Sequence, residues 1–253
     1  MTAANSSRDL RPILVLEDIV AGYGQLIVLK GTAFEVASGA ITTIIGPNGA
    51  GKSTVFKTVF GLLPVQSGKI FFDGADITRL KPRQLLELGI CYVPQGRNLF
   101  PELSVRHNLE LGGVVAGAHV DVAGRVESLM TRFPMLRQKA DAQASTLSGG
   151  QQKLLEIARG LLLDPKLVLI DEPSIGLSPI LVRETFAILR ELRDKGISIL
   201  MVEQNARSAL EISDFGIVLE LGRTRMIGAA AQILADPRVG RLFLGGTIEA
   251  DGA

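Results

Sequence analysis

One eight-residue string, Gly46-Pro47-Asn48-Gly49-Ala50-Gly51-Lys52-Ser53, narrows the folds open to this chain more than any other feature. It fits the phosphate-loop pattern G-x-x-x-x-G-K-[ST]. The apolar run 41–45 stands before it, and Val55, Phe56, Val59 and Phe60 follow at helical spacing until Gly61 and Pro64 stop them. A strand that turns through glycines into a helix aims backbone N–H groups at one spot, and the helix start adds its positive end. Lys52 then supplies a cation for β- and γ-phosphates, and the Ser53 hydroxyl is a ligand for Mg²⁺.

A phosphate loop needs a parallel sheet behind it, and the chain supplies the strands. The runs 168–170 and 197–202 are short and apolar, as strands buried on both faces are. Residues 13–20 and 32–36 read as an antiparallel flap extended by 69–72, and 217–221 with 224–227 as a hairpin turning at Gly222-Arg223. After Gly150, the residues Leu154, Ala158, Leu161 and Leu162 mark an apolar helical stripe ending at Asp164-Pro165. The stretch from Gln95 to Leu147 is helical without apolar strands and reads as an insertion into the α/β core.

Composition removes several classes. With 253 residues the chain corresponds to between one and two domains. A 47% hydrophobic and 21% charged composition excludes intrinsic disorder, and a net charge of +1 argues against a nucleic-acid binder working through a global positive field. The single cysteine, Cys91, excludes a disulfide framework, fits a reducing compartment and is expected in buried packing. No uncharged run approaches the ~18–20 residues of a membrane span, and residues 111–120 hold three glycines and a histidine. The opening MTAANSSRDL lacks the apolar segment of a signal peptide or anchor.

Two further motifs carry chemistry. Residues 167–172 form an apolar strand ending in Asp171-Glu172. Beside a phosphate loop, Asp171 can hold Mg²⁺ and Glu172 can orient or deprotonate an attacking water. In Leu147-Ser148-Gly149-Gly150-Gln151, Ser148 sits at a helix N-cap and two glycines open the helix, so free N–H groups can receive an anion. Two phosphate-type helix starts in one chain cannot both meet the same nucleotide head-on. Ser148 and Gly150 are therefore expected to serve the nucleotide of a partner subunit.

Taken in order, residues 46–53, Gln95, the LSGGQ string and Asp171-Glu172 resemble those of ATP-binding cassette (ABC) transporter ATPases. The resemblance spans roughly residues 15–246. It implies an α/β fold: an ABC-type P-loop NTPase with a RecA-like parallel-sheet core, an N-terminal antiparallel β subdomain and an inserted helical subdomain. The core would comprise about 11–94 and 165–246 and the helical subdomain about 95–164, between a flexible N-terminus (1–10) and a C-terminal tail (247–253). It also implies ATP hydrolysis by a head-to-tail dimer with two ATP–Mg²⁺ at its interface. Tyr23 matches the aromatic that stacks on adenine, and Gln95 the glutamine that senses Mg²⁺ and the γ-phosphate. The implied nucleotide set is residues 46–53 with Thr54, Tyr23 and Gln95, joined by Ser148, Gly149, Gly150 and Gln151. Ser53, Gln95 and Asp171 would serve the metal, and Glu172, Lys52 and Gln204 catalysis. Residues 96–109 would lie near the groove that receives the permease.

Two departures are informative. In Val202-Glu203-Gln204-Asn205, Gln204 stands where the family's switch histidine is usual; it can hydrogen-bond a γ-phosphate but carries no proton. In the loop before Pro179, Ser178 replaces an aspartate. These strings, with Asp236-Pro237-Arg238-Val239 and residues 243–246, resemble the ATPase subunit of branched-chain amino-acid importers, although that group commonly has glutamate where Gln95 stands. Urea and amide importer ATPases share the glutamine at the switch position and stay open. So does a regulatory subunit without turnover. A soluble ABC ATPase is disfavoured by the absence of coiled-coil insertions or a second cassette, and a kinase or GTPase by the LSGGQ string.

The resemblance further implies transmembrane permease subunits, a second ABC ATPase (a copy of this chain or, more in keeping with the family, a different one), an indirectly coupled solute-binding protein and no nucleic acid. It implies a peripheral position on the cytoplasmic side of the inner or plasma membrane. His107 and His119 lack the company of other ligands and are expected at the surface or in packing. Arg97 reads equally as a permease contact or a surface charge, and 112–124 as a flexible surface segment.

Overall fold

The computed structural model describes residues 11–96, 98–117 and 120–243. The expectations for residues 1–10, Arg97, His119 and 244–253 lie outside them. In chain order the elements are β1 (Pro12–Tyr23), β2 (Leu26–Ala37), β3 (Ile41–Ile45), α1 (Lys52–Val59), β4 (Val65–Phe72), β5 (Ala75–Asp76), α2 (Pro82–Leu88) and β6 (Ile90–Val93). A helical stretch follows with α3 (Val105–Glu110), α4 (Val122–Arg132), α5 (Pro134–Gln138) and α6 (Gly149–Gly160). The chain then runs through β7 (Leu167–Asp171), α7 (Pro179–Asp194), β8 (Ser198–Val202), α8 (Ala206–Leu210), β9 (Phe215–Glu220), β10 (Arg223–Ala229), α9 (Ala230–Ala235) and α10 (Pro237–Phe243).

The strands form two sheets. One is antiparallel, ordered β2-β1-β4-β5; the other is ordered β10-β9-β3-β8-β7-β6, parallel throughout except for β10. Strands β3, β7 and β8 are buried at every residue, so both faces of the parallel sheet are covered. Their alternation sorts side chains between two cores. Val168, Ile170, Ile199 and Met201 face the core shared with α6 and α7. Leu167, Leu169, Leu200 and Val202 face the core shared with α1 and the antiparallel sheet.

The register sets the row of strand ends that matters for function. Ile44 pairs with Val202, Asp171 with Val202, and Val93 with Ile170. The turns after β3, β8, β7 and β6 therefore leave the sheet side by side at its carboxyl edge. Open α/β sheets bind ligands at that edge.

The inserted helical stretch is tied back to this edge through α6. Glu156, buried at 4% exposure, accepts the Asn98 N–H at 2.8 Å and pairs with the equally buried Lys153 at 2.6 Å. Arg159 donates to the Asn98 carbonyl at 2.6 Å. The inward stripe of α6 thus runs through Leu155 and Ala158 and includes an ion pair; Leu154, expected inward, is only half-buried. One other expectation is corrected: the terminal hairpin turns at Leu221-Gly222, one residue earlier than expected, with Arg223 already in β10. Within 112–124, Gly113 is buried in a turn against Leu162, and Gly124 lies within α4. Cys91 is buried in β6, where burial raises its thiol to about 12. Among the described residues no helix is long and apolar enough to cross a membrane.

Glu156→Ala should cost about 3–5 kcal/mol in denaturant unfolding, because it strands a buried ammonium at Lys153. Replacing both Lys153 and Glu156 by leucine should recover most of that loss. A double variant as unstable as the single one would show that the pair is not its source.

Candidate functional site

The phosphate loop is held from behind by the β9–β10 hairpin. Gly222 donates its N–H to the Ala50 carbonyl at 2.9 Å, and a Cβ on Gly46 would meet the Leu219 carbonyl oxygen at 2.1 Å. Only glycine fits there. Gly51, at φ +103°, forms the N-cap of α1 in the left-handed region that favours glycine, and it offers no side-chain cap. The first-turn amides of α1 are thus without intrahelical acceptors and face the loop. Lys52 is buried at 6% exposure and folds back on the loop, donating to the carbonyls of Gly46 at 2.8 Å and Pro47 at 3.0 Å. Burial lowers its pKa, partly offset by the charges of Glu172 and Asp171. Asn48 and Gly49 form the exposed tip, while Ala50 and Thr54 are buried.

Asp171 ends β7 at 2% exposure, directly beside this loop. It accepts Ser53 Oγ at 3.2 Å and the Tyr92 hydroxyl at 3.4 Å. Burial pushes its carboxyl pKa up, against the pull of those donors and of Lys52. The next residue, Glu172, adopts φ +48°, a conformation that costs a non-glycine residue of order 1 kcal/mol or more. Its N–H is fixed on the Val202 carbonyl at 2.9 Å, which pins the turn carrying its carboxylate to the end of β8. Gln95 donates to that carboxylate at 2.8 Å. Burial, then repulsion from Asp171, raises the Glu172 pKa, and Lys52 opposes both.

Lys52, Ser53, Asp171, Glu172 and Gln95 therefore converge at the edge. Ser53 and Asp171 offer hard oxygen donors a hydrogen-bond distance apart, a set that suits Mg²⁺ with phosphate oxygens and waters completing its shell. Gln95 reaches Glu172 rather than this pair. Tyr23 ends β1 half-exposed, with the Lys57 ammonium 5.6 Å above its ring.

Ser148 caps α6 in a capping box: Gln151 donates its N–H to Ser148 Oγ at 3.4 Å, and Ser148 donates its own to Gln151 Oε1 at 3.0 Å. Ser148 and Gly149 face solvent, and among the described residues no hydrogen bond joins 147–151 to the phosphate loop. Ser178 and Gln204 are exposed.

The sequence reading missed Glu203. Its carboxylate is 1% exposed and accepts three donors: Ser174 N–H and Oγ, each at 2.8 Å, and the Gln204 N–H at 3.2 Å. One signal was available, a carboxylate directly after an apolar strand, the same pattern as Asp171-Glu172. Tyr92, which no motif singles out, brings its hydroxyl to Asp171 at 3.4 Å.

A family model described as ABC transporter matches residues 29–175. The high-affinity branched-chain amino acid transport ATP-binding protein BraG of Pseudomonas aeruginosa is 38% identical over 234 residues, 92% of this chain and 100% of that protein. The lipopolysaccharide export system ATP-binding protein LptB of Escherichia coli K12 is 34% identical over 92% of this chain and 97% of its own. A solved structure of an ATP-binding cassette of an ABC transporter in its ADP conformation superposes with a TM-score of 0.82 at 32% identity, covering 93% of this chain and 100% of that one.

The carboxylates make a stability prediction. With its folded pKa raised above the ordinary 4.5, ionised Glu172 costs stability once pH exceeds that raised value and costs none below the unfolded value. Glu172→Gln should therefore unfold at a higher temperature than the parent at pH 7, and the gap should close as pH falls below the ordinary glutamate range. Equal melting temperatures at pH 7 would refute this.

Proposed function

From the premise that this chain belongs to the ABC transporter family and is an ATP-hydrolysing, nucleotide-binding subunit, we propose that it powers import of branched-chain amino acids. The carrying observation for the chemistry is the convergence of Lys52, Ser53, Asp171 and Glu172 on one sheet edge. On this reading the amides of residues 46–54 and the Lys52 ammonium cradle the phosphates, and Tyr23 stacks on the adenine. Ser53 and Asp171, with Gln95 as the third metal residue that the resemblance implies, would hold Mg²⁺, which would neutralise charge building on the phosphate oxygens. Glu172 takes a proton from water as its oxygen attacks the γ-phosphorus; the bond to the bridging oxygen breaks, leaving ADP and phosphate. Ser148, Gly149, Gly150 and Gln151 receive the γ-phosphate of the opposing subunit, so ATP closes a head-to-tail dimer and hydrolysis reopens it.

Three relatives named for branched-chain amino acid transport, from Pseudomonas, Archaeoglobus and Methanocaldococcus, support the solute class. The domain division carries over as proposed: a core of about 11–94 and 165–246 with a helical subdomain of about 95–164. The chain would sit peripherally on the cytoplasmic face, bound to two permease subunits and paired with a second ATPase, and a solute-binding protein would deliver the amino acid. The relatives named for lipopolysaccharide export favour a second reading, in which the same motor serves an exporter.

Purification of the tagged chain from solubilised native membranes, with leucine, isoleucine and valine uptake measured in its deletion strain, separates these. Two multi-span permeases, a second ATPase and lost uptake support import. Intact uptake with other membrane partners overturns it. Glu172→Gln should bind ATP, dimerise in it and hydrolyse it about 10²–10⁴-fold more slowly than the parent. A monomer in saturating ATP with parental turnover would sink the mechanism. Gln204→His should leave turnover within about tenfold, or ~1.4 kcal/mol of barrier, by steady-state phosphate release. A far larger acceleration would mean that Gln204 holds the natural site slow.

A further inference from the structure

We propose that Glu203 is a positioning residue for ATP hydrolysis, its buried carboxylate locking the loop that follows Glu172 to the backbone of Gln204. The inference rests on the reading above, in which Glu172 is the base and Gln204 faces the γ-phosphate.

Three strand ends meet at this residue. Its backbone N–H points to the Ile44 carbonyl at 3.5 Å, on the strand that enters the phosphate loop. The carbonyl of Val202, just before it, receives the Glu172 N–H at 2.9 Å. Its side chain reaches across to Ser174, two residues beyond Glu172, taking the N–H on Oε1 and the hydroxyl on Oε2, each at 2.8 Å. The second oxygen also accepts the Gln204 N–H at 3.2 Å. Glu172, Ser174, Glu203, Gln204 and Asn205 line one cleft at the sheet edge.

A carboxylate at 1% exposure with no cation among its hydrogen-bond partners is an expensive group to bury. Burial pushes its pKa up, and the three donors pull it down. A neutral side chain would close an ordinary turn with less penalty. A carboxylate is the one side-chain group whose two oxygens accept all three of these donors together without offering a proton of its own. Losing that acceptor pair frees the Glu172 turn and the Gln204 backbone to shift relative to each other. A displacement of about 1 Å at a reacting group can cost on the order of a hundredfold in rate while leaving ATP binding, which rests on residues 46–54, intact.

The test is steady-state phosphate release and ATP titration on the full chain. Glu203→Gln keeps the shape but turns one acceptor into an NH₂ donor. It should lower kcat by about tenfold or more with KM for ATP within about threefold, the signature of an interaction made only on the way to the transition state. In a Gln204→Ala background it should cost less than in the parent, because the side chain borne by the backbone that Glu203 holds is gone. Ser174→Ala removes one hydroxyl donor and provides a gentler variant, should Glu203→Gln fold poorly. It should lower kcat a few-fold and be non-additive with Glu203→Gln. Parental kcat in both variants, additive losses with Gln204→Ala, or a rise in KM matching the loss of kcat/KM would overturn the proposal. Glu172→Gln in the same assay separates the two readings. If it turns over like the parent, the base assignment fails and this inference falls with it. If it is inactive while Glu203→Gln retains parental kcat, the role of Glu203 alone is refuted.

Discussion

The site depends on one register. Because Val202 lies opposite both Ile44 and Asp171, the phosphate loop, the carboxylate pair and Glu203 emerge at the same height from three neighbouring strands. That register is written in apolar residues with no part in the chemistry. Sliding β7 by one position would send Val168 and Ile170 into the core built for Leu167 and Leu169, and the reverse. A two-residue side-chain period makes such a slip cost the whole buried face. The hydrophobic cores thus set the distances between charged groups that are far apart in sequence, such as Ser53 and Asp171 at 3.2 Å.

The same burial gives the edge its electrostatic character. Desolvation lowers the Lys52 pKa and raises those of Asp171, Glu172 and Glu203. Charges are held where they are individually unfavourable, and only neighbours of opposite sign or aimed donors offset the cost. For Lys52 the partial compensation comes from loop carbonyls and the nearby carboxylates; phosphate oxygens would supply it more fully. For Asp171 it comes from two hydroxyl donors, and a hard cation would replace them. Glu203 differs, since the donors that partly offset its burial all come from within the chain, two of them backbone N–H groups. It belongs to the frame rather than to the ligand shell.

Local and non-local features divide what could be read in advance. The phosphate loop, the LSGGQ capping box and the Asp171-Glu172 strand end are contiguous, and each was legible because its chemistry needs adjacent residues. So were β3, β7 and β8, which carry the unbroken apolar runs of buried parallel strands. The contacts of Glu203 with Ser174 and of Glu156 with Asn98 were not legible, since they span 29 and 58 positions and exist only after the sheet has paired. The apolar stripe of α6 continues as expected through Ala158, Leu161 and Leu162, and Leu154 packs against the same core half-buried; the buried pair of Lys153 and Glu156 was not legible.

The bond from Glu203 to its neighbour bears on the glutamine at position 204. The group it holds is the backbone N–H of Gln204, not the side chain, so the placement of that residue does not depend on its identity. On the proposed reading, a change at 204 would alter the chemistry offered to a γ-phosphate, and a change at 203 would alter where that chemistry is offered. On that same reading, in which Glu172 takes the proton, position 204 needs a neutral donor in a fixed place rather than a group that titrates. A glutamine amide meets that need, provided the backbone beneath it is held.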